Sequence, residues 1–127
     1  MSKKFRFLGF LILIFSVVFT GAASANSIAY RTHVTQYAWQ GWVTNGRVSG
    51  TTGKGLQMEA IQIRLTDKMA SNYYVEYRVH VAGYGWLGWV SDGEVAGTTG
   101  KGLRMEAIQI RLVEKHRRKS SGRRGYF

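Results

Sequence analysis

The sequence predicts an all-β protein of two tandem repeats, each a small antiparallel sheet, packed together in an incomplete β-prism or sandwich-like arrangement. Three observations carry this expectation. Residues Ile28 to Leu65 align without a gap on Val75 to Leu112, with 26 identities in 38 positions, so the chain is a tandem duplication and each copy is one structural unit. Within each unit, segments alternate apolar and polar residues with the period of two that gives a strand one buried face. Between apolar runs stand Asn45-Gly46 and Asp92-Gly93, pairs that accept the positive φ angles of a type I′ turn.

The chain opens with Lys3, Lys4 and Arg6, then an apolar run from Leu8 to Thr20, then Ala23-Ser24-Ala25. Basic, apolar and small-residue regions in that order make a secretory signal peptide, so residues 1–25 are expected to be cleaved before Asn26. The run is shorter than the roughly 20 apolar residues of a spanning helix, and no transmembrane span is expected after cleavage. The 127 residues include no cysteine. An exported chain of this kind is held by its core and by contact between repeats rather than by disulfides.

The first repeat is expected over residues 26–66 and the second over 75–112, joined by a linker at 67–74. Each begins with a strand, "YRTHV" from Tyr30 and "YRVHV" from Tyr77; in the second, Tyr77, Val79 and Val81 alternate with Arg78 and His80. Next come "WQGWVTNGRV" from Trp39 and "WLGWVSDGEV" from Trp86, each a hairpin signal. If this segment is extended, Trp39 and Trp42 point to opposite faces, as do Trp86 and Trp89, which places one indole of each pair in the core and leaves the other half exposed.

The third segment is "GTTGKGLQMEAIQIRL" from Gly50 and "GTTGKGLRMEAIQIRL" from Gly97. Ile61, Ile63 and Leu65 alternate in one phase and Leu56, Met58 and Ala60 in the other, so a strand here needs a bulge near Ala60-Ile61. A helix is the alternative, since Leu56, Ala60 and Ile63 also fit helical spacing; the closing "IQIRL" favours the strand. The glycine-rich turn is no phosphate cradle. A P-loop reads G-x-x-x-x-G-K-[ST], and with Gly53-Lys54 in the GK place its first glycine falls on Val48 and its last position on Gly55. Architecture is the better reading, with Lys54 and Lys101 as exposed charges.

Little else suggests reaction chemistry. The acids matched between repeats are Glu59 and Glu106, and the matched histidines are His33 and His80. One carboxylate per unit gives no acid/base pair, and one His with one Glu is short of the three or four ligands of a zinc site. No catalytic residue, metal or cofactor is expected; Glu59 is read as bonding a backbone amide or Arg64.

Two binding surfaces remain. An exposed indole beside Gly41 or Gly88 is a flat platform for a sugar ring, which makes Trp42, Trp89, Tyr37, Tyr84, Trp39 and Trp86 candidate ligand-binding residues; in the competing reading all four tryptophans pack between the repeats. The tail at 113–127 carries Lys115, Arg117, Arg118, Lys119, Arg123 and Arg124 against Glu114. It is expected to be disordered and to attract polyanions.

The run "YRVHVAGYGWLGWVSDGEVAGTTGKGLRMEAIQIRL" closely resembles the clostridial hydrophobic W (ChW) repeat, and the first copy is similar with modest changes. The ordered series G-W, W-V-S-[DN]-G, A-G-T-T-G-K and L-[RQ]-x-E-A-I is a specific signature. The resemblance implies export from a Gram-positive bacterium and a non-enzymatic role at or beyond the cell surface, in adhesion or carbohydrate binding. The expected protein is thus secreted, noncovalently associated with the wall, and bound to a cell-surface polysaccharide or wall polymer rather than to nucleic acid. The alternative is a cationic envelope protein that binds anionic wall polymers through its tail, with the repeats as scaffold. Sheets this small need a partner, and a homodimer is one way to supply it.

Overall fold

The computed structural model describes residues 27–116, so the leader at 1–25 and the tail cations Arg117, Arg118, Lys119, Arg123 and Arg124 lie outside the described residues. The first repeat forms β1 (Ile28–Val34), β2 (Ala38–Trp39), β3 (Val43–Thr44) and β4 (Met58–Leu65). A helix, α1 (Asp67–Asn72), leads to the second repeat, with β5 (Tyr73–Val81), β6 (Gly85–Trp86), β7 (Val90–Ser91), β8 (Ala96–Gly97) and β9 (Met105–Glu114). The fold is all-β and both sheets are antiparallel. In one, β1 is flanked by β4 on one side and by β2 and β3 on the other; in the other, β5 is flanked by β9 and by β6 and β7.

The sheets are joined across the duplication. β8 belongs to the second repeat by sequence but pairs with β4 of the first, Gly97 opposite Ala60 and Ala96 opposite Ile61. The expected hairpin is therefore only half realised. Both turns form, closed by Arg47 N–H to Thr44 O and Glu94 N–H to Ser91 O, with positive φ at Asn45, Gly46, Asp92 and Gly93. The returning arm then leaves for the neighbouring sheet instead of pairing back along β7.

From Val75 onward the odd residues of β5, Val75, Tyr77, Val79 and Val81, are buried with Ile63 and Ala96, and Ile28, Tyr30, Ile61 and Leu65 of the first repeat pack around them. Burying each large side chain contributes about 1.5–3 kcal/mol. The third segment is a strand in both repeats. Its bulge falls one residue earlier than expected: His33 faces Ala60 and Val34 faces Met58, leaving Glu59 as the extra residue, and Glu106 has that role between Ala107 and Met105.

The ends of the second repeat lie further out than its sequence match. Tyr73 pairs with Glu114 and Tyr74 with Val113; the Lys115 amide donates to Asn72 O at 2.9 Å, and its ammonium donates to Ala70 O. Cross-strand pairing therefore takes residues 113–115 out of the expected tail and Tyr73 and Tyr74 out of the expected linker. Lys115, read as a polyanion-binding residue, is half-buried and already bonded.

Candidate functional site

On each sheet, the face turned away from the core carries the tryptophans. The local cause is a mismatch of register. His33 faces Trp39 and Tyr30 faces Val43, so four steps of chain lie opposite three of β1. The extra residue reverses the alternation, and Trp39 and Trp42 come out on the same side as Arg31 and His33. The second repeat does the same, with His80 facing Trp86 and Tyr77 facing Val90. The expectation that one indole of each pair is core is thus corrected: none of the four is buried, and Trp86 and Trp89 are 41% and 37% exposed.

Arginines gather the indoles into a ladder. The Arg31 guanidinium stands 5.0 Å from the ring centres of both Trp39 and Trp42, and Arg64 stands 4.1 Å from Trp42. In the second repeat Arg78 is 4.9 Å from both Trp86 and Trp89, and Arg111 is 4.0 Å from Trp89. Each cation–π contact contributes about 0.5–1 kcal/mol at an exposed site. The ladder is braced from the sheet: Arg31 Nε donates to Gln62 Oε1 at 2.7 Å and Arg78 Nε to Gln109 Oε1 at 2.6 Å, across the pairs Arg31–Gln62 and Arg78–Gln109. At its other end the His33 ring meets Trp39 edge-on at 5.5 Å, and His80 meets Trp86 at 5.4 Å.

The copies differ at one rung. Arg111 Nε donates to the Glu76 carboxylate at 2.6 Å. The residue in that place of the first repeat is Ala29, opposite Arg64, and the Arg64 guanidinium makes no hydrogen bond or ion pair among the described residues. The ladder therefore accepts a carboxylate, and in the first repeat none of the described residues supplies one.

The remaining candidates sort plainly. Tyr37 and Tyr84 are exposed, but neither makes a ring or hydrogen-bond contact with an indole; Tyr37 is taken by Lys54, which lies 5.0 Å over its ring and 3.2 Å from its hydroxyl. Glu59 does not reach Arg64. Its carboxylate accepts from Thr35 Oγ1 at 2.8 Å and lies 3.2 Å from His33 Nδ1. Glu106 lies 3.3 Å from His80 Nδ1 and from Arg104 Nη2. Among the described residues no three His, Cys, Asp or Glu side chains cluster as a metal site would require. Sequence reasoning missed the arginines, although a signal was there: Arg31, Arg64, Arg78 and Arg111 are matched between repeats, each on the polar phase of its strand.

Compared with known families, the chain matches the family model described as clostridial hydrophobic W twice, over residues 33–67 and 80–114. Each match spans both tryptophans, the turn and the bulged strand; Arg31 and Arg78 lie outside it. No curated protein and no solved structure matches.

Proposed function

Because the chain belongs to the clostridial hydrophobic W family, as two tandem repeats of it, we propose that it is a non-enzymatic cell-surface protein that binds acidic polysaccharide on its two tryptophan–arginine ladders. The family is one of repeats, not of catalytic domains, which supports a binding role. The observation that carries the reading is the Glu76 carboxylate held on the Arg111 rung, since a uronic acid or other anionic sugar presents the same group. Part-exposed indoles offer apolar faces to sugar rings. Guanidiniums stacked on them keep a donor fork pre-organised for a carboxylate. The leader read from the sequence would deliver the protein outside the cell, and the basic tail would add attachment to anionic wall polymers.

The test is binding of residues 26–127 to a polyuronate and to the same polymer with its carboxyls reduced. The acidic form is expected to bind more tightly, and Trp42→Ala/Trp89→Ala to abolish binding to both while the β-sheet circular dichroism persists. Deleting residues 117–127 separates the tail: losing its five cations is expected to flatten the salt dependence without removing the preference. A folded double variant with wild-type affinity would end the reading.

A further inference from the structure

β4 and β9 carry the same eight residues, MEAIQIRL, at their start, yet their outer edges meet different fates. The edge of β4 is closed by the second repeat. Ala60 and Ile61 pair with Gly97 and Ala96, the Ile63 amide donates to the Tyr77 hydroxyl at 3.1 Å, Gly93 N–H donates to Ile63 O at 2.7 Å, and Gln62 Nε2 donates to Gly93 O at 2.8 Å. At β9 none of these bonds has a counterpart among the described residues. Ile108, Ile110 and Leu112 are left exposed, Ile110 by 52%. An apolar strand with an unpaired edge is an association site unless something blunts it.

The first repeat holds the complementary half, which pairs with no strand among the described residues; its Gly50 amide donates to Gln40 Oε1 at 2.7 Å. Gly50 stands where Gly97 stands, with φ of +113° against +102°. That glycine matters: a Cβ on Gly97 would lie 2.4 Å from Glu59 O and 2.9 Å from Ala60 Cα, whereas at Gly50 it would meet only side-chain atoms, the nearest Met58 Sδ at 3.1 Å. Tyr30 repeats Tyr77 down to its hydroxyl donating to the carbonyl two residues past the hairpin turn's first position, Arg47 O for Tyr30 and Glu94 O for Tyr77. Ser49 replaces Ala96, and its hydroxyl is satisfied by Thr32 Oγ1 at 2.9 Å.

We propose that the open edge of β9 binds a second copy of this chain, which docks its Tyr30 and its Ser49–Gly50 segment there as Tyr77 and Ala96–Gly97 dock on β4. The contact is heterologous, head to tail, so it closes into a ring or runs on as a chain of copies. The basic tail is a poor rival, because the surface to be covered is apolar and residues 117–127 are mostly cationic or small. This inference does not rest on the polysaccharide reading: the apolar residues to be covered lie on the face opposite the indoles, and the glutamine that braces each ladder is the one residue the two share.

The test is sedimentation of residues 26–127 over a concentration series. The wild-type chain is expected to reach at least twice its monomer mass. Ile110→Lys breaks the β9 side and Ser49→Lys the docking side, so each alone is expected to stay monomeric, with circular dichroism confirming its fold. Mixed one to one, they retain one intact contact and are expected to form a dimer that grows no further. Gly50→Ala serves as a second docking-side variant. A monomer at every concentration, association that survives either lysine, or a mixture of folded variants that stays monomeric would each overturn the proposal. So would association appearing only after residues 117–127 are removed, which would make the tail the occupant.

Discussion

Ile63 and Ile110 stand at the same place in two copies of one octapeptide, but Ile63 is 2% exposed and Ile110 52%. Their own strands treat them alike, each facing a tyrosine across the ladder, Tyr30 in one case and Tyr77 in the other. The difference comes from the next repeat, which covers β4 and has no successor among the described residues to cover β9. Glu59 and Glu106 repeat the lesson: the first is buried under the Thr98 amide, which donates to its carbonyl at 3.1 Å, and the second is exposed. Local pattern decides which face a side chain takes, and the neighbouring unit decides whether that face is core.

The largest break in this symmetry is expected from matched truncations. Ile63→Ala should destabilise the fold by about 2–5 kcal/mol, as buried large-to-small changes do, whereas Ile110→Ala should cost less than about 1 kcal/mol at a half-exposed site. Urea titration at a concentration low enough to suppress association measures both. Equal losses would mean that β9 is covered in solution even then.

Tyr77 gives the next effect. Its hydroxyl accepts from the Ile63 amide and donates to Glu94 O, so Tyr77→Phe leaves the buried Ile63 amide and the part-buried Glu94 carbonyl without this partner, worth about 1–3 kcal/mol. Tyr30→Phe, at a partly exposed site, should cost less. Burial also raises the Tyr77 phenol above its ordinary 10.0, with the Glu94 charge adding to it. A raised pKa in the folded state means stability that is whole below about pH 10 and is lost as pH climbs through the folded value. Alkaline titration of the wild type should therefore show a stability decline above pH 10 that is shallower in Tyr77→Phe.

A smaller contrast separates the two bulge carboxylates, Glu59 buried and Glu106 exposed. Thr35→Ala removes the 2.8 Å hydrogen bond to Glu59 and should cost about 1–2 kcal/mol. At the corresponding place the second repeat already has Ala82, and Ala82→Thr should change stability by no more than about 0.5 kcal/mol because Glu106 is exposed and served by Arg104. Thermal melts of the two variants decide it.

What was legible in the sequence is what one segment determines alone. The duplication, the strands of Tyr30 and Tyr77, the Asn45-Gly46 and Asp92-Gly93 turns and the phase change in MEAIQIRL are all local signals, and the bulge was misplaced by only one residue. What was not legible depends on a partner strand. The same-side placement of Trp39 and Trp42 follows from their register against β1, the crossing of β8 to β4 from the packing of two repeats, and the reach of β9 to Glu114 from pairing with Tyr73. The arginine ladder needed both: its residues were visible, and the faces that bring them to the indoles were not.

The smallest effect is the one that sharpens the candidate site. If the ladders bind anionic sugars, the two repeats should respond unequally to changes at their last rung. Among the described residues none puts a carboxylate on Arg64, so Arg64→Gln should weaken binding to a polyuronate by about 2–5-fold, the loss of one exposed charge-assisted contact of about 0.5–1 kcal/mol. Arg111 is already occupied by Glu76, so Arg111→Gln should weaken binding less. Glu76→Gln should strengthen it, because it vacates the rung and removes a negative charge beside the ligand. The neutral, carboxyl-reduced polymer should register none of the three, since stacking on Trp42 and Trp89 does not use the charge. Titration calorimetry of the three variants against both polymers reads the order directly. If Glu76→Gln lowers affinity for the acidic polymer while the variant remains folded, the carboxylate is bracing the ladder rather than occupying a ligand's place on it.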